Sequence, residues 1–257
     1  MRSLLAMEAG KVARLGSVRF SLILLVLFPL LWAYAPGIYK VYGLYLVSAY
    51  QVPALSLLSS MQFLLPLLVA ISAAELLGIE IANGTLQTVL LRPVSRSQWL
   101  LSKLMVVTLY PFAILAVFGL VSLLAGAPYG YGSFVGGTGL GQSGLLGQGT
   151  MSAGQAFGEV ARAYLVAGYS LVPVALLALL FTVVFMNAAG GALATLSVLI
   201  FMKLLVVFPA LDPYLLTTQL NAYAKPVGNL GWVVALIALY AAAFAAASVV
   251  LFERKDF

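Results

Sequence analysis

The side chains that most often carry catalysis are missing. The 257 residues include no Cys and no His. That excludes disulfides, thiolate or imidazole metal sites, a cysteine nucleophile and a Ser-His relay. Seven acidic residues spread along the chain leave little for a carboxylate metal site. The most polar and best-punctuated run between two long apolar segments is Glu75 to Lys103, which holds Glu75, Glu80, Arg92, Arg96 and Lys103. Here Glu75 and Glu80 are placed to pair with Arg92 or Arg96 across the polar segment 79–98, and Lys103 is placed to snorkel from the start of the next apolar run. Lys203 stands apart, inside an apolar run. A charge in lipid is costly and usually faces protein or a water path. Lys203 is therefore a candidate pathway residue; the plainer reading is that it snorkels to the headgroups, six residues before Pro209. A Ser-Lys dyad built on it is a third use that composition allows. Gly139 to Gly144 matches G-x-G-x-x-G, but the dinucleotide fingerprint needs a strand before it and a helix after it. Neither is evident, so the match is set aside.

These residues are positioned by elements that belong in lipid. The chain is 63% hydrophobic and 8% charged, against about 25% charged in a soluble domain. A hydrocarbon core about 30 Å thick needs about 20 apolar residues per helical crossing. Six runs meet that requirement, at about 18–36, 53–78, 99–125, 160–186, 192–209 and 230–252. The expected fold is all-α: a single polytopic membrane domain over 1–257 with six transmembrane helices. Pro66 marks a kink in the second span. The first run, Phe20 to Tyr34, has basic residues before it, and Ala33-Tyr34-Ala35 mimics a cleavage site. The charged leader is too long for a signal peptide and Pro36 would follow the cut, so an uncleaved span is expected.

Outside the spans, residues 2–17 place Leu4, Leu5, Val12 and Leu15 near one helical face and Arg2, Glu8, Lys11 and Arg14 near another. This reads as an amphipathic helix in the membrane interface. Tyr39, Tyr42, Tyr45 and Tyr50 suit the membrane–water boundary. Ala127 to Gly158 holds 11 glycines and no charged residue; it reads as an exposed, mobile loop. Residues 210–228 form a second polar loop with a short helix from Pro213 to Tyr223. The small residues Ala188 to Ala192 and Ala241 to Ala247 permit close helix packing.

Six spans put both termini on one side. Nine basic residues (Arg2, Lys11, Arg14, Arg19, Arg92, Arg96, Lys103, Arg254 and Lys255) lie on that side, and three (Lys40, Arg162 and Lys225) on the other. The positive-inside rule then makes both termini and segment 79–98 cytoplasmic. The net charge of +6 is accounted for by this topology, so nucleic acid is not expected as a partner.

The turn chemistry of 79–98 is explicit. Asn83-Gly84 breaks the second span. Thr85 to Leu91 is a short helix, ended by Pro93, which disfavours helix at Arg92. Ser95-Arg96-Ser97-Gln98 is an S-x-x-Q capping box that starts the third span. A short helix held outside the membrane suits insertion into a partner's groove, with Leu86, Val89, Leu90 and Leu91 as contacts and Arg92 and Arg96 flanking them. The plainer alternative is a hairpin that only reverses the chain.

The order Glu80, Gly84-Thr85-Leu86, Leu90-Leu91, Pro93-Val94-Ser95-Arg96 and then Lys103 resembles the signature of ABC-2-type transporter permeases. Met7-Glu8 with Lys11 and Arg14 resembles that family's amphipathic opening, and Phe252-Glu253-Arg254-Lys255-Asp256 its F-x-R-R-D tail. The long glycine-rich loop is a departure. The resemblance implies a non-catalytic transmembrane subunit of an ATP-driven exporter in a bacterial or archaeal plasma or inner membrane. It further implies a pair of permease copies, homo- or heterodimeric, working with two copies of a separate ATP-binding subunit that holds the ATP and Mg. Glu80, Gly84, Thr85, Leu86, Leu90, Leu91, Pro93, Ser95 and Arg96 would then form the cytoplasmic coupling helix and its flanks between helices 2 and 3. No G-x-x-x-x-G-K-[ST] occurs in the chain, so nucleotide held by a P-loop must belong to a partner. Two rivals remain. A stand-alone secondary transporter or channel usually carries more intramembrane charge or broken helices. An intramembrane enzyme would need a residue set that the composition largely denies.

Overall fold

A computed structural model describes residues 2–35, 46–84, 96–136, 140–141, 144–147, 149–224 and 230–255. Helix α1 is Arg2–Val12 and α2 is Gly16–Tyr34. Helices α3 (Gln51–Ser60) and α4 (Leu64–Ala82) follow. Next come α5 (Arg96–Gly126), strands β1 (Phe134–Gly136) and β2 (Gly149–Met151), and α6 (Ala153–Phe185). The chain closes with α7 (Ala188–Leu205), α8 (Leu216–Gln219) and α9 (Leu230–Glu253). Among the described residues, six helices are long and apolar enough to cross a membrane: α2, α4, α5, α6, α7 and α9.

The second crossing is shorter than 53–78. The helix stops at Ser60 and restarts at Leu64. Pro66 explains the break. Its ring clashes with a carbonyl four residues earlier, and it has no N–H to donate, so it is best accommodated in a first turn. It therefore starts a helix where a kink was expected. The fourth crossing begins seven residues before 160. Ser152 caps it: its side chain accepts from the Gln155 N–H, and Gln155 reaches back to the Ser152 N–H. This is a capping box readable in the sequence, obscured by the neighbouring glycines. At the α6–α7 turn Met186 adopts φ 53°. The Asn187 side chain accepts from the N–H groups of Ala189 (2.8 Å) and Gly190 (3.3 Å), so α7 starts at Ala188 rather than at 192.

Helix α6 is the hub, packed against α4, α5, α7 and α9. Its buried face includes Ala163, Ala167, Leu171, Ala175 and Leu179. Two small residues let α7 close on this hub. A methyl group on Gly78 of α4 would collide with the Ala188 backbone, and one on Gly191 would collide with Thr182 of α6. Close approach of this kind gives lipid-embedded helices their dispersion contacts.

The helix ends sort into two groups. At one end α1, the end of α4, the start of α5 and the tail of α9 meet; this is the tail end. At the other, the hairpin end, α5 and α6 run on. At about 1.5 Å per residue their 31 and 33 residues reach roughly 46–50 Å, well beyond a hydrocarbon core of about 30 Å. The surplus carries a cap. Phe134 pairs with Met151 across the antiparallel β1–β2 ladder, and Leu140 and Leu145 are fully buried in the main core. The described part of the glycine-rich segment is thus a folded hairpin anchored by its few apolar residues, where a mobile loop was expected. Tyr50 is buried against Tyr131 in the same cap, with ring centroids 5.6 Å apart; Tyr39, Tyr42 and Tyr45 lie outside the described residues. The expected helix from Pro213 to Tyr223 is three short pieces: 3-10 turns at Asp212–Tyr214 and Ala222–Ala224, with α8 between them.

Candidate functional site

Four charged side chains converge at the tail end. Glu8 comes from α1, Lys11 from one turn further on, Glu80 from the last turn of α4, and Lys103 from the second turn of α5. The Lys103 ammonium lies 2.7 Å from the Glu8 carboxylate and 3.0 Å from that of Glu80. It also donates to the Leu76 carbonyl at 3.3 Å and sits 4.7 Å from the centroid of the Trp99 ring. Lys11 bridges the same two carboxylates, 2.6 Å from each. Glu8 and Lys103 are fully buried and Glu80 nearly so, while Lys11 is half-exposed.

Two carboxylates and two ammoniums cancel, which is the condition for holding charges away from water. For Lys11, burial acts to lower the pKa; hydrogen bonds to Glu8 and Glu80 and their negative charge outweigh it and raise the pKa above the ordinary lysine value.

The network overturns two expectations, while the expected pairing of Glu75 and Glu80 with Arg92 or Arg96 falls on side chains outside the described residues. Lys103 does not snorkel; it is fully enclosed and paired. Glu8 does not sit on a solvated face of α1 but points into the bundle. Glu80 pairs with Lys11 and Lys103, and Glu75 accepts from the Ser17 N–H at 3.1 Å, binding the start of α2. Arg92 lies outside the described residues. The Arg96 backbone opens α5, immediately after Ser95.

Two further contacts close this end of the molecule. Phe252 of α9 is fully buried and stacks on Trp99, with centroids 5.4 Å apart. The Lys255 ammonium donates to the Val183 and Val184 carbonyls at 2.5 and 2.6 Å. A cation there complements the negative end of the α6 dipole and satisfies carbonyls that the helix leaves unpaired. The pairing of Phe252 with Trp99 was not legible in the sequence beyond the tail's motif.

Of the residues singled out in the sequence, Glu80 is in the network. Gly84 ends the described part of the loop at φ 64°, a left-handed conformation that glycine adopts without penalty. Thr85, Leu86, Leu90, Leu91, Pro93 and Ser95 lie outside the described residues. Lys203 is at the other end of the molecule, exposed, in the last turn of α7. Segment 85–95, outside the described residues, is flanked on each side by a helix carrying a network member: Glu80 on α4 and Lys103 on α5.

A search of curated proteins finds no match to the chain. A family profile matches residues 22–257, which covers most of α2 and all that follows to α9 and leaves out α1 with its Glu8 and Lys11. The chain belongs to the family described as protein of unknown function DUF2705.

Proposed function

We propose that the chain is the transmembrane permease subunit of an ATP-binding-cassette exporter, with ATP and Mg bound and hydrolysed by a separate subunit. In this reading the tail end faces the cytoplasm and α1 lies in the membrane interface. The segment 85–95 seats on the ATPase, and a second permease copy completes the transporter.

One observation supports this most directly. Glu8, Lys11, Glu80 and Lys103 link the two helices that flank the loop to α1, at 2.6–3.0 Å. A stroke delivered to the loop is passed to three elements at once through a stiff, buried ionic contact. A chain-reversing hairpin needs no such coupling. The order of residues from Glu80 to Lys103 adds the resemblance to ABC-2 permeases, and the six membrane-length helices fit it. Lys203 is the candidate pathway residue.

The test is co-purification. A tagged chain should bring down an ATPase subunit. Replacing Leu90 with Asp and Arg96 with Glu should release it while leaving the permease folded. If no ATPase accompanies the chain, and both variants transport as well as wild type, the reading fails.

A further inference from the structure

Lys203 belongs to a cavity that the tail-end network does not involve. The break between α3 and α4 leaves a gap beside the end of α7, and α8 closes the top. The resulting space is about 230 Å³. Met61, Leu199 and Leu220 give it apolar walls, and Lys203, Thr217 and Asn221 bring polar groups to it. Thr217 is more than nine-tenths buried, and its hydroxyl has no hydrogen-bond partner among the described residues. No carboxylate among the described residues lies within ion-pairing distance of Lys203. A buried hydroxyl without a partner costs stability unless something completes it, and a cation beside apolar walls calls for an anion.

Size and position specify the ligand further. The cavity is below the range of about 300–1,000 Å³ typical of a drug-sized site, so it takes a head and the start of a chain. Ile200 continues the wall onto the exposed apolar face of α7, where a longer tail can lie along the helix in lipid. Lys203 is in the last turn of a membrane-length helix, which is headgroup depth.

We infer that this cavity binds a single anionic amphiphile: a phosphate or carboxylate head against Lys203 and Thr217, with its aliphatic tail leaving along Ile200. Non-specific snorkelling of Lys203 into the headgroup layer gives no fixed stoichiometry and no dependence on cavity shape. The binding claim rests on the cavity alone.

The experiment uses the purified chain without any ATPase. It is placed in nanodiscs containing phosphatidylglycerol and phosphatidylcholine of identical chains, and retained lipid is counted by native mass spectrometry. The expected result is one phosphatidylglycerol per chain, retained over phosphatidylcholine. Lys203→Met should lower retention about tenfold, the loss of one charge-assisted contact, and Lys203→Arg should preserve it. Leu199→Trp, which fills the cavity and leaves the cation in place, should also lower it. Millimolar inorganic phosphate should not displace the lipid, because the tail contributes to binding. Unchanged thermal unfolding of Lys203→Met confirms that the fold persists. The inference is overturned if Lys203→Met or Leu199→Trp retains phosphatidylglycerol like wild type, if phosphatidylcholine is retained equally, or if phosphate alone displaces the lipid and so marks a site for a free anion. None of these outcomes bears on whether an ATPase co-purifies.

Discussion

Lys103 carries a heavy electrostatic constraint, because it is fully buried and, among the described residues, its charge is balanced by Glu8 and Glu80. Removing one member of such a group leaves an uncompensated charge away from water, at a cost of about 3–5 kcal/mol. Lys103→Met should lose stability of that order in thermal unfolding of the detergent-solubilised protein. Adding Glu8→Gln should restore part of it, with a coupling of about 0.5–3 kcal/mol; strict additivity of the two changes would show that they do not share a network. Lys11 makes a second, pH-dependent prediction. Its pKa is raised in the folded protein. Its stabilisation is therefore complete below the unfolded value of about 10.4 and is lost as pH rises through the higher folded value. The stability difference between wild type and Lys11→Met should hold through neutral pH and shrink only in the alkaline range above about pH 10.4. A difference that disappears near neutrality would contradict the pairing.

At the level of elements, the hub helix α6 depends on how closely α4 and α7 approach each other and it. Gly78 is one of the tightest points, with no room for a side-chain carbon against Ala188. Gly78→Val should separate the two helices and destabilise by about 1–3 kcal/mol, as overpacking does. Gly10→Ala, where nothing obstructs the added carbon, is the matched control and should be neutral or better in a helix. Equal effects of the two would remove the close-packing argument. The same geometry accounts for what the sequence revealed at this scale. The run Ala188 to Ala192 announced close packing because small side chains are informative wherever they occur. The Ser152–Gln155 cap was equally present in the sequence but lay among glycines that pointed to a loop. Pro66 was visible too; whether it kinks or starts a helix depends on whether the preceding residues have better contacts elsewhere, and α3 finds them against α2 and α5.

For the whole molecule, the central question is orientation. The tail end and the hairpin end lie on opposite sides if the six helices all cross. The chain lacks cysteine, so single-cysteine labelling can be read directly. Gly10→Cys and Gly154→Cys are both sterically open. In intact cells a membrane-impermeant maleimide should label Cys at 154 and should reach position 10 only after the membrane is opened. Labelling of both from outside, or the reverse order, would rule out the proposed topology. The hairpin end also shows why the glycine-rich segment misled. Its glycines dominate any composition count, yet four apolar side chains, Phe134, Leu140, Leu145 and Met151, are enough to fix it to the core.

The sequence by itself determined that this is an all-α chain with six helices long and apolar enough to cross a membrane, where most of them stop, and that no thiol or imidazole chemistry is available. Those properties are local: apolar run length, caps and prolines act within a few residues of where they are written. The tertiary structure alone decided which charges meet. Glu8 and Lys103 are 95 positions apart, and Lys11 and Glu80 are 69 apart. Each could as well have faced water, lipid or a loop arginine. Their pairing depends on the rotation of three helices about their own axes. That rotation is set by how all the neighbouring side chains pack at once, with Gly78 and Gly191 admitting α7 and Trp99 meeting Phe252, and no short segment contains it.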